Sequence, residues 1–82
     1  MNLERIRELA ASLASRIKAQ DAPGKVEEAY AMALSREPNT EERQLGAAAL
    51  AKLESEWPGH PEGALEAYCH ALLNSAAFLY VD

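Results

Sequence analysis

ALEAYCHALLNSAAFLYVD, residues 64–82, holds the most hydrophobic helical pattern in the chain. Leu65, Tyr68, Cys69, Leu72, Leu73 and Ala76 fall at i, i+3, i+4, i+7, i+8 and i+11, which is one continuous apolar face of an α-helix. Asn74-Ser75 interrupts the pattern, and a more hydrophobic tail follows in Phe78, Leu79, Tyr80 and Val81. The spacing predicts a core helix over 62–74 closed by Asn74, then a short helical turn over 76–80 with Ser75 as its N-cap. Phe78 to Val81 would return as an apolar lid. A chain with so many large side chains at one end must fold its other helices onto that end.

Upstream, turn residues separate three further helical patterns. Helix one is expected over 3–20, with Asn2 as N-cap and a narrow stripe of Leu3, Ile6, Leu9 or Ala10, Leu13 and Ile17. Asp21-Ala22-Pro23-Gly24 breaks it, Pro23 being tolerated in a first turn. Helix two, over 23–35, carries Val26, Ala29, Tyr30, Ala33 and Leu34 on one face. Pro38 biases Glu37 away from helical geometry and so ends it. Thr40 is the expected N-cap of helix three, over 41–56, and because Arg43 stands three residues later no full capping box is expected. Its face is read as Leu45, Ala49, Leu53 and Trp57 with Leu50 adjacent, and Gly46 with the following alanines would let another helix approach closely. Residues 57–63, WPGHPEG, hold two prolines and two glycines and form the last linker. The expected architecture is all-α: one domain over 1–82, a compact bundle of four helices with a short C-terminal helical turn.

Composition narrows the function. Seventeen of the forty residues in the hydrophobic class are Ala, so the helices are well favoured but each buries little. A single Cys excludes an internal disulfide, and the core must rest on packing. No apolar run approaches the ~20 residues that span a bilayer. The chain is therefore expected to be soluble, and Glu4, Arg5, Arg7 and Glu8 break up any signal-peptide core. Residues 1–20 carry a net charge of +2 and residues 21–82 carry −7, an acidic body poorly matched to nucleic acid.

Each chemically suggestive cluster is incomplete. Cys69-His70 lacks the first Cys of a Cys-x-x-Cys-His haem motif, that position being Glu66, so Cys69 is read as a small core residue. Glu62, Glu66 and His70 recur every four residues on helix four and, with His60, fall short of convergent zinc ligands. They read as a solvated helix face. No Gly-x-Ser-x-Gly elbow surrounds any serine. Arg36 at the end of helix two reads as a structural bridge to the helix-four carbonyls or to the Asn74 side chain. No cofactor is expected and no enzyme is suggested.

Two stretches carry a family likeness. Residues 29–42, AYAMALSREPNTEE, resemble a recurrent pattern of Tyr, three residues, Leu-Ser-Arg-Glu-Pro and then Thr-Glu-Glu. About forty residues on comes CHALLNS, residues 69–75, followed by FLYVD, residues 78–82. The pairing resembles the C-terminal part of the planctomycete-type domain of unknown function found in large exported proteins with cytochrome-c-like modules. The likeness covers about 23–82, and Ala76-Ala77 departs from it where the family has a polar or acidic residue before Phe78. It implies exported parent proteins and a terminal piece or relative of a larger chain, but no catalytic residues. The expected function is a non-catalytic structural or protein-interaction module whose partner is another protein or the remainder of a larger chain. Helix one's narrow stripe also leaves room for a homodimer. The structural residues singled out are Arg36, Pro38, Thr40, Asn74, Ser75 and Phe78; a haem- or metal-binding module using Cys69 and His70 is the alternative.

Overall fold

The punctuation in the sequence becomes three short connections between four helices: α1 (Leu3–Arg16), α2 (Ala22–Leu34), α3 (Thr40–Glu56) and α4 (Pro61–Leu79). The structure is a computed structural model that describes the backbone of residues 3–79 and the side chains of residues 4–75. α4 is the hub, packing against α1, α2 and α3, while α2 packs on α3 and only lightly on α1. The protein is an all-α four-helix bundle.

Helix ends are decided by side chains that reach backbone groups. α1 stops at Arg16 rather than running to residue 20, because the Glu28 carboxylate of α2 accepts from the backbone N–H groups of Lys18 and Ala19, each at 2.9 Å. A charged acceptor outcompetes another helical turn there. Asp21 caps α2, its carboxylate accepting from Gly24 N–H at 3.1 Å. Ser35 closes α2 in the left-handed region at φ 56°, with its N–H on the Ala31 carbonyl.

The cap of α3 corrects the expectation for Thr40, which is the helix's first residue and exposed. Asn39 is the N-cap, and a full capping box is present. Asn39 Oδ1 accepts from Glu42 N–H at 2.8 Å, while the Glu42 carboxylate accepts from Asn39 N–H at 2.9 Å. Moving the cap by one residue puts Glu, not Arg, at the third helical position.

α4 also differs from its sequence reading. Asn74-Ser75 does not break it, and residues 76–79 are the end of the same helix rather than a separate turn. Asn74 is exposed and its amide meets His70 Nδ1 one turn earlier, at 3.3 Å. Its side chain is thus spent along the helix surface instead of competing for backbone groups. The following alanines are strong helix formers. The expected lid of Phe78, Leu79, Tyr80 and Val81 lies outside the described residues, for its side chains throughout and for Tyr80 and Val81 altogether.

The core is built from Ile6, Ala10 and Leu13 of α1, Val26, Ala29 and Tyr30 of α2, Leu50 of α3, and Ala64, Leu65, Tyr68, Cys69 and Leu72 of α4. α3 turns a different side inward from the one expected. Gly46 and Leu50 are buried, whereas Ala49 is exposed and Leu45 is 64% exposed. Gly46 explains the rotation: a Cβ there would stand 2.6 Å from Tyr68 Oη and 2.9 Å from a Val26 methyl. Only a residue without a side chain lets α3 reach α2 and α4 together.

The corner between α2 and α3 assembles the Tyr–Arg-Glu-Pro–Glu pattern. Pro38 is buried. Arg36 lies over the Tyr30 ring at 5.3 Å and grips Glu42 with two hydrogen bonds of 2.8 Å. Arg36 also donates to the Glu37 carbonyl at 3.1 Å. Of the two partners expected for Arg36, the Asn74 side chain is engaged instead with His70, and Arg36 makes its bridge to Glu42. Ser75, however, borders one hollow with Tyr30 and Glu42, so the two ends of the motif pair do approach each other.

The Arg36 guanidinium and the Asn39 N–H hold the Glu42 carboxyl down at about 2, from its ordinary 4.5. A depressed carboxyl contributes stability that is full above pH 4.5 and is lost as pH falls towards 2. Glu42→Gln should therefore remove part of the wild type's acid sensitivity in that window and be less stable at neutral pH. Melting temperatures measured in steps from neutral pH down to the acid limb check this. Parallel wild-type and variant curves would refute it.

Candidate functional site

The α3–α4 connection places the chain's one Trp. Trp57, Pro58, Gly59 and His60 form a β-turn in which His60 N–H donates to the Trp57 carbonyl at 3.1 Å, with Gly59 at φ 82°. Pro at the second position and a positive-φ Gly at the third are the requirements of a type II turn. Pro61 then opens α4, where its missing N–H is not needed. Trp57 itself caps α3, its N–H on the Leu53 carbonyl at 3.2 Å. Its backbone has left the helix, so its side chain leaves the α3 face and lies on the start of α4.

The result is a groove between α1 and α4 of about 380 Å³. Gly63 and Ala67 keep its α4 side low, the buried Ala10 lies beneath it, Trp57 forms a wall, and Arg7, Glu66 and His70 supply polar groups. The indole rests on Gly63, where a Cβ would come within 3.1–3.2 Å of the ring. Trp57 is still 48% exposed, although the sequence pattern assigns it to the core. Arg7 and Glu66 border the same groove, yet neither forms an ion pair among the described residues.

Glu62, Glu66 and His70 do not behave as one solvated stripe. Glu66 and His70 are half-buried and face the groove, while Glu62 is exposed and lies 3.6 Å from His60 Nδ1. Cys69 and His70, adjacent in sequence, diverge. Cys69 is 0% exposed in the core and His70 faces the groove, as consecutive helical residues must. The geometry gives no support to a haem or metal ion held by that pair. Ser15 and Ser55 donate to carbonyls one turn back, of Ser12 and Lys52, each at 2.7 Å. Of the residues singled out from sequence, Arg36, Pro38 and Thr40 meet at the α2–α3 corner; Asn74 and Ser75 are exposed on α4, and the Phe78 side chain lies outside the described residues. Of those whose side chains are described, none borders the Trp57 groove. Pro58 directly after Trp57 forbids the helical register from continuing, and it is the signal in the sequence that Trp57 leaves the α3 face.

Burial pushes the Cys69 thiol up to about 11 from its ordinary 9, with the Glu66 carboxylate adding in the same direction. At pH 8 the thiolate fraction is then about a hundredfold below that of an exposed thiol. Native protein should react with a disulfide thiol reagent at least that much more slowly than urea-unfolded protein. Equal rates would place Cys69 outside the core.

No helix of the described residues is long and apolar enough to cross a membrane. The chain matches no family model, no curated protein and no solved structure.

Proposed function

We propose that this domain is a non-catalytic helical interaction module that docks a protein partner, or the remainder of a larger chain, through the Trp57 groove. One observation carries the reading: a half-exposed Trp forming the wall of a groove that Ala67, Arg7, Glu66 and His70 also border. Trp and Arg are among the residues that most often anchor interfaces, and the groove holds one of each. The resemblance of residues 23–82 to the terminal part of a planctomycete-type domain supports a place at the end of a larger protein.

A displayed peptide library panned against the domain tests this. Enriched peptides should shift the emission of Trp57, the chain's one indole, and bind Trp57→Ala at least about tenfold more weakly. That variant should retain its helical circular dichroism, because half of the ring is already in solvent. Enriched peptides that bind Trp57→Ala as well as wild type would overturn the proposal, as would a library that enriches nothing.

A further inference from the structure

We infer that the occupant of the Trp57 groove is a second copy of this chain, joined about a two-fold axis. The inference rests on the groove being an interface and goes on to say what fills it. In a two-fold interface the same patch appears on both sides, so every feature must find its complement on that patch. This groove carries both members of each pair it would need. Trp57 is a half-exposed ring resting on Gly63, and half-buried Ala67 borders the groove beside it. Among the described residues, Arg7 on α1 is a cation and Glu66 on α4 a carboxylate with no ion-pair partner. Within one protomer these features only border each other. Across a two-fold axis, the exposed side of Trp57 of each copy packs on the Ala67 side of the other's groove and Arg7 of each meets Glu66 of the other, twice over.

Charge selects this face over the rest of the surface. The chain is acidic, at −5, and two copies repel wherever acidic faces meet. Residues 1–20 hold the local positive surplus, with Arg5, Arg7, Arg16 and Lys18 against Glu4 and Glu8. A patch that includes α1 is therefore where two copies approach with least repulsion. A standard interface covers about 800 Å² per partner. That is roughly a seventh of this protomer's 5570 Å², a share that one face of a small domain can supply.

Sedimentation equilibrium of the full chain tests the inference through charge reversal. Wild type should pass from 8.9 kDa towards twice that mass between about 5 µM and about 500 µM, with a blue shift of Trp57 emission over the same range. Arg7→Glu and Glu66→Arg should each weaken self-association at least about tenfold, because each sets like charges together at two symmetric places. Mixing the two variants should restore the dimer, since each then supplies the charge that the other needs. The double variant should self-associate again. This recovery separates a broken contact from a broken fold.

Wild type remaining at 8.9 kDa throughout would overturn the inference, as would a dimer indifferent to both reversals. A monomer that still binds Trp57-dependent peptides would remove the second copy as occupant and leave the interaction reading standing. Failure of the panning beside a charge-swappable dimer would do the reverse, limiting the groove to self-association.

Discussion

Leu50→Ala is expected to destabilise the domain by about 3 kcal/mol and to lower its melting temperature by roughly 12–24 °C. Among the described residues Leu50 is the largest side chain that is completely buried, and it is the main large apolar side chain that α3 places in the core. Truncation removes its transfer free energy and leaves a cavity among α2, α3 and α4 that close-packed neighbours refill only in part. For a domain of this size the total stability is on the order of 5–15 kcal/mol, so one such loss is a large fraction. The control lies on the same helix. Leu45→Ala, at a 64% exposed position, should change stability by no more than about 0.5 kcal/mol. Urea denaturation followed by circular dichroism reads both. Equal losses would mean that α3 presents the Leu45 side inward after all.

Gly46→Leu should be comparably damaging, at about 3 kcal/mol, for the opposite reason. The first carbon of any side chain at Gly46 would stand 2.6 Å from Tyr68 Oη and 2.9 and 3.1 Å from the two Val26 methyls. Tyr68 Oη is the end of a long side chain and can swing, but Val26 is fully buried in α2 and cannot. Helix propensity favours Ala over Gly by about 1 kcal/mol. In Gly46→Ala that gain offsets part of the overpacking, for a net loss of about 1 kcal/mol. Tyr68→Phe in the Gly46→Ala background removes the nearest obstacle and should recover part of the loss. Thermal melts of the four proteins decide it. A Gly46→Leu protein as stable as wild type would show that α3 does not approach α2 and α4 at this point.

Both variants bear on what the sequence makes legible. Helix number and type are local matters of apolar period and turn residues, and Pro38, the Trp57–Gly59 turn and the α4 period all act where they stand. The α4 face read from its spacing is the face that meets the other three helices. Gly46 as a point of close approach was likewise visible. The orientation of α3 was not. Leu45, Ala49 and Leu53 make as regular a stripe as Gly46, Leu50 and Leu53, and in so alanine-rich a helix the period scarcely favours either. Only the fit of Gly46 against Tyr68 and Val26 breaks the tie.

The groove shows the same division. Nothing local joins Arg7 to Glu66 and His70, which lie about sixty residues away in sequence. Arg36 could be recognised as a bridge, but its partner Glu42 became evident only with the cap at Asn39. In this protein the number of helices, the three connections between them and the hub helix follow from local residue patterns, because propensity, period and turn chemistry act over a few residues. Tertiary structure alone decided which side of α3 is buried, that Asn74-Ser75 lies within a helix, and that Trp57 stands over a groove instead of in the core. These depend on packing between segments far apart in the chain, where small differences in fit select among patterns that the sequence leaves nearly equal.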